Sequence, residues 1–219
     1  MALWHVAAAC ALVGGAAATL SASAQSDKAA VSAGAASVSV ATSGKALYAE
    51  RFGNSCAACH GSDGRSEMVG TPVLAGQYSL YAITQLFLFR EGRRDHEAMV
   101  ALAKTMSDTD LRGYSDFIGS LPAVPPPAPA APPDVARMSK GQVLAQQYKC
   151  VFCHGSALDG GQGVPRIGGQ KEEYLQSALH GYKSGSRPGY TRAMSEALSQ
   201  VPVEDLDLLA YYAANFTGK

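Results

Sequence analysis

The pentapeptide Cys56-Ala57-Ala58-Cys59-His60 is matched 94 residues later by Cys150-Val151-Phe152-Cys153-His154. C-x-x-C-H is the attachment signal of a c-type haem: two thiols add to the vinyl groups, and the adjacent histidine ligates the iron from one side. A single copy could serve redox-disulfide chemistry instead. Zinc would need four clustered ligands, and each motif offers at most three. Two copies, each opening a segment of similar pattern, point to two covalent haems held by Cys56, Cys59, Cys150 and Cys153, with His60 and His154 as proximal ligands. The fifth cysteine, Cys10, lies in an apolar leader, so none remains for a structural disulfide.

The sixth ligand decides what each iron can do. A thioether is neutral and soft; it favours ferrous iron, raises the potential and closes the iron to small ligands. For the second haem the candidate is Met194, the only methionine after His154. Three methionines follow His60. Met68 is too near to pass round the ring edge, while Met99 and Met106 both have the reach. The repeat separates them, because Met99 stands 39 residues after its histidine and Met194 stands 40 after its own. Met106 pairs with Val201, which reads as a core position. His96 and His180 are further candidates for ligation, more simply read as helix or loop histidines.

Other marks of the repeat follow the motifs. Pro72 and Pro165 begin loops that run to Gly76-Gln77 and Gly169-Gln170. Each proline loop could present a backbone carbonyl to the proximal histidine, orienting the ring and raising its basicity; a plain turn proline is the competing reading. Arg93, Arg94 and Arg187 precede the methionines at similar distances and could pair with haem propionates or stay solvated.

The elements that must position these residues are helical. A helix starting near Ser43, with Ala46, Leu47 and Phe52 as apolar contacts, leads into the first motif. Gly44-x-x-Leu47 corresponds to Gly141-x-x-Leu144, with three extra residues in the first copy before its cysteine. Segments 80–89 and 173–179 read as helices, the latter shorter and more polar. Ser107-Asp108-Thr109-Asp110 fits a capping box before Leu111, Tyr114, Phe117 and Ile118 on one face. Leu206, Leu209, Ala210 and Ala213 follow Pro202 in the same way. No strand period is evident.

Residues 1–24 read as a secretory signal ending in Ala22-Ser23-Ala24, with an uncleaved anchor as the alternative. Residues 25–42 read as a flexible tether. Residues 43–119 and 134–219 read as two haem domains joined by the linker 120–133, in which seven of 14 residues are proline; such a stretch favours a stiff extended spacer. With 18 basic and 18 acidic residues and no basic block, nothing points to nucleic acid.

Taken together, the two C-x-x-C-H motifs, the two Pro and Gly-Gln loops and the two methionines ahead of helices at Asp110 and Asp205 resemble the cytochrome c4 family across about residues 43–216. The resemblance implies an all-α protein of two tandem class I cytochrome c domains, each wrapped around a covalent haem and related by a pseudo-twofold. It implies the axial pairs His60/Met99 and His154/Met194, with Pro72 and Pro165 supporting the histidines. The expected function is a soluble periplasmic carrier of up to two electrons, free or loosely associated with the inner membrane. It would take electrons from a quinol-oxidising complex or dehydrogenase and pass them to a terminal oxidase or reductase. The alternative is the dihaem subunit of a periplasmic dehydrogenase such as flavocytochrome sulfide dehydrogenase. A small haem enzyme is disfavoured by two ligating methionines. The expected partners are periplasmic or membrane-bound redox proteins, with no small-molecule substrate pocket.

Overall fold

A computed structural model describes residues 44–124 and 131–218. The expected signal, the whole segment 25–42 ahead of the first haem domain and the middle of the proline-rich linker lie outside the described residues. Ten helices follow in order among those described: residues 44–55 (α1), Ala57–His60 (α2), Ser79–Arg90 (α3), Glu97–Ala103 (α4), Asp108–Ser120 (α5), Val135–Gln147 (α6), Cys150–His154 (α7), Glu172–Ser184 (α8), Ala193–Ser199 (α9) and Val203–Ala214 (α10). Each half thus repeats one plan: a long helix, a short motif helix, a loop, a long helix, a short methionine-bearing helix and a terminal helix. Among the described residues extended pairing is limited to the isolated bridge between Gly161 and Val164.

The two halves have separate apolar cores. In the first, Tyr48, Leu86, Phe89, Ala103, Met106, Leu111 and Tyr114 form one cluster, and Phe52, Ala82 and Ile118 a second beside it. In the other half a single cluster spans Leu144, Leu158, Leu175, Leu198, Val201, Leu206, Leu209 and their neighbours. α5 starts with the expected capping box: Ser107 Oγ accepts the Asp110 N–H, and the Asp110 carboxylate accepts the Ser107 N–H.

Local differences from expectation have physical causes. Ala46 and Leu47 are exposed, and α1 packs through Tyr48 and Phe52 instead. The three extra residues ahead of Cys56 let α1 run to within one residue of α2. In the second half Tyr148 and Lys149 separate α6 from α7, and Lys149 lies in the left-handed region at φ 57°. α8 is longer than expected: Leu175, Ala178 and Gly181 carry a buried stripe past residue 179, and the helix stops where Gly185 turns left-handed. α4 and α9, which carry Met99 and Met194, were too short to show a period.

The first and last long helices of each half cross at a glycine, but the glycine changes sides. In the first half it is Gly113 on α5, where an added Cβ would lie 1.9 Å from the Tyr48 ring. In the second it is Gly141 on α6, facing Tyr212 of α10 at 2.5 Å. The Tyr48 hydroxyl is tied to Thr109 O and Asp110 Oδ1, so its ring cannot swing clear. Gly113→Ala is therefore expected to destabilise the first half by about 1–3 kcal/mol through overpacking, measured by chemical denaturation, with the second half unaffected.

Asp110 gives a pH signature. The Ser107 hydroxyl and then the Ser107 N–H hold its carboxyl below the usual range, helped by Tyr48 and Arg51 against burial. A depressed carboxylate contributes stability above its unfolded pKa, roughly 4, and loses it as pH falls through the folded value. Acid titration should therefore weaken the first half below about pH 4, and Asp110→Asn should remove that component while lowering stability at neutral pH.

Candidate haem sites and the junction between them

Each motif lies on a short helix ending at its histidine. His60 and His154 are both buried, and each ring is fixed at Nδ1: 3.0 Å from Pro72 O in the first half, 2.9 Å from Pro165 O in the second. A carbonyl oxygen only accepts, so Nδ1 carries the proton and Nε2 is left as the lone pair that can meet a metal. Burial holds both imidazoles below the ordinary histidine range, only partly offset by these carbonyls. Near neutral pH both are the neutral form a metal requires.

None of the four motif cysteines is in a disulfide; Cys56 and Cys150 are half-buried and Cys59 and Cys153 exposed. Among the described residues no cluster of three or more His, Cys, Asp or Glu could hold a bare metal ion. Met99 and Cys56 pack against one apolar cluster, and Met194 and Cys150 against another. Both methionines are half-buried, whereas Met106 is buried in the first core and Val201 in the second. His96 caps α4, its Nδ1 accepting the Met99 N–H at 3.4 Å. His180 Nε2 pairs with Asp207 Oδ1 at 2.8 Å.

The three arginines separate. Arg93 is exposed. Arg94 and Arg187 come from opposite halves and both donate to the Tyr174 hydroxyl, at 3.2 and 2.9 Å. Burial alone would raise that phenol; the guanidiniums of Arg94 and Arg187 reverse the effect and bring it down to about 7. Arg187 Nε is buried without a partner, and among the described residues neither arginine has a carboxylate. Two such cations with an orphaned donor fit an anionic group, which the propionates of a haem would be.

The halves meet through polar loop contacts that sequence reasoning did not assign. Gln170 Oε1 accepts the Val73 N–H at 2.8 Å while Gln170 Nε2 donates to Val73 O at 2.9 Å. In the reverse direction Gln77 Nε2 donates to Arg166 O at 2.7 Å. Lys171 Nζ donates to Met68 O and to Ser66 Oγ, which itself donates to Cys59 O at 2.8 Å. The only sequence signal was the repeated Gly-Gln pair, which marks the loop but not its cross-junction role. Phe87 and Tyr190 also meet edge to face, centroids 6.3 Å apart.

Two buried histidines with oriented rings, each ending a C-x-x-C-H helix in its own all-helical half, define a two-domain c-type cytochrome. Comparison places it more narrowly. The Cytochrome c family matches residues 41–121. Cytochrome c4 of Thiocapsa roseopersicina is 32% identical over 142 residues, covering 60% of this chain and 71% of that protein. A thiosulfate dehydrogenase electron acceptor of Thiomonas intermedia (strain K12) is 32% identical over 144 residues, covering 62% of this chain and 65% of that one. The structure of reduced recombinant cytochrome c4 from Pseudomonas stutzeri superposes with a TM-score of 0.69 at 25% identity, over 78% of this chain and 97% of that one. The chain belongs to the cytochrome c4 family, and as such is a two-haem electron carrier with c-type haems bound covalently.

Gly160 gives a direct test of the carbonyl support. It sits at φ 72°, and an added Cβ would lie 2.6 Å from Pro165 O and 2.4 Å from Val164 O. Gly160→Ala is expected to displace the Pro165 carbonyl from His154, costing about 1–3 kcal/mol in left-handed strain. With its imidazole less basic, the second haem should shift to higher potential in a redox titration while the first holds.

Proposed function

We propose that this protein is a shuttle of the cell envelope, exported by its leader, that takes electrons from a dehydrogenase or quinol-oxidising complex and delivers them to a terminal oxidase or reductase. In this reading Cys56 and Cys59 hold the first haem and Cys150 and Cys153 the second. His60 and Met99 are one axial pair, His154 and Met194 the other. The observation that carries the reading is the repeated bond from each motif histidine to a proline carbonyl, which leaves Nε2 of both rings free for iron. Each haem, when bound, supplies one ferric–ferrous couple.

The protein's part is to bind, orient and tune. The thiols fix the cofactor so that it is not lost outside the cytoplasm. The proline carbonyls raise the basicity of the histidines, which favours ferric iron, while the methionine sulfurs favour ferrous and exclude small ligands. Arg94 and Arg187 would take up propionate charge where the halves meet. None of the helices formed by the described residues is long and apolar enough to cross a membrane. A second reading, a fixed electron-accepting subunit of a dehydrogenase, draws on the relative named as a thiosulfate dehydrogenase electron acceptor. Native size-exclusion separates the two: a subunit co-elutes with a larger catalytic partner, and a shuttle elutes alone.

The ligand assignment is tested by mutagenesis on protein shown by mass and pyridine haemochrome to carry two covalent haems. Met99→Ala should abolish half of the near-infrared sulfur–iron band of the oxidised protein and open one iron to carbon monoxide. Met106→Ala should leave the band intact and cost about 2–5 kcal/mol of stability from a cavity in the first core. The reverse result would overturn the Met99 assignment.

A further inference from the structure

We propose that Gln170, in the second half, is a positioning residue for the first haem, and that it sets that haem's potential through a hydrogen-bonded peptide relay across the junction. The inference deepens the proposed function and rests on its reading of His60 as an axial ligand.

The relay is contained in one peptide unit. The carbonyl that receives His60 Nδ1–H belongs to Pro72, and the N–H on the other side of that same peptide plane belongs to Val73. That N–H donates to Gln170 Oε1 at 2.8 Å, and His60 Nδ1 lies 3.0 Å from the carbonyl. Donation from a peptide N–H polarises its carbonyl and strengthens the bond the carbonyl accepts, by about 10–30% per bond in condensed-phase estimates. A stronger acceptor at Pro72 gives His60 more imidazolate character and favours ferric iron. The Gln170 amide cannot be turned over, because its Nε2 donates to Val73 O at 2.9 Å and a flipped amide would set N–H against N–H and oxygen against oxygen. Oε1 also accepts the Lys171 N–H at 3.0 Å, which holds the side chain in place. The next residue, Lys171, grips Ser66, itself bonded to the Cys59 carbonyl of the motif helix.

The second site has only part of this device. Gln77 donates to Arg166 O at 2.7 Å, which steadies the loop after Pro165. Its Oε1, however, is buried with no hydrogen-bond partner among the described residues, so Gln77 makes no relay into the Pro165–Arg166 peptide. One repeat therefore yields two unequal sites: the first haem is tuned from the other half, and the second is not.

The experiment uses the full-length two-haem protein and the variants Gln170→Met and Gln77→Met, which keep side-chain length without the amide. Each haem is followed by NMR during redox titration, its axial methionine methyl signal assigned from Met99→Ala and Met194→Ala. The expected result for Gln170→Met is a rise in the first haem's potential and an upfield shift of the His60 Nδ1–H signal in the reduced state, with His154 little changed. Gln77→Met should move His154 less than Gln170→Met moves His60. An unchanged first potential with both haems still low-spin would overturn the relay alone, as would equal shifts at both histidines, the signature of a merely loosened junction. If His60→Ala left the first haem low-spin, the ligand reading would fail and the relay with it. Should Gln170→Met not fold, the unmodified protein still decides. Slow exchange of the Val73 amide, with scalar coupling across the bond to the Gln170 carboxamide, supports the relay; fast exchange overturns it.

Discussion

A proximal histidine can serve an iron only if its ring is held at one angle and in one tautomer, and the bond from Nδ1 to a proline carbonyl does both. Much of the rest of each half serves to keep that carbonyl still. A proline supplies a fixed φ, and the loop behind it must turn tightly enough to bring the carbonyl back to the motif helix. In the first half this loop is tied by the Leu74 and Ala75 N–H groups to Gly64 O, in the second by the Ile167 and Gly168 N–H groups to Leu158 O. Leu158 is buried at φ 52°, a strained position for a branched side chain that persists only because the surroundings over-determine it.

How far the sequence disclosed this depends on the range of the interaction. Spacing along the chain placed both motifs, the two candidate methionines and the terminal helices, because a haem-attachment motif and a helix period are local patterns. The capping box at Ser107 was legible for the same reason. Helices α4 and α9 were not, since seven residues barely make two turns. Leu47 is exposed because α1 packs through Tyr48 and Phe52, four residues apart on one face, and composition alone does not say which neighbouring residue of a helix faces the core. Nothing local in Gln170 reveals that it faces Val73, a contact 97 residues distant in sequence. Such contacts depend on how two folded surfaces meet, which no single segment encodes.

None of the buried apolar clusters among the described residues spans the junction, which hydrogen bonds cross instead, and that has consequences. An apolar seam tolerates sliding, since contact area changes little with small displacements. A buried amide does not tolerate it: each donor or acceptor left unmade costs about 1–3 kcal/mol. Gln170, Gln77, Lys171 and the Tyr174 pair with Arg94 and Arg187 therefore admit few ways of docking the halves. Their orphaned atoms, Gln77 Oε1 and Arg187 Nε, lie in the same contact zone, so the seam also holds polar capacity that the protein alone does not use.

For an electron carrier, that fixed docking is the physical reason to hold two sites in one body. Exchange between two redox centres depends steeply on their separation, so a junction that admits few arrangements makes internal exchange reproducible. It also sets the strength of charge interaction, because one oxidised centre disfavours oxidation of the other at a fixed distance and a fixed local screening. Two halves without those hydrogen bonds would have no specific contacts to fix either effect. The polar seam sets that separation, and the linker has only to permit it.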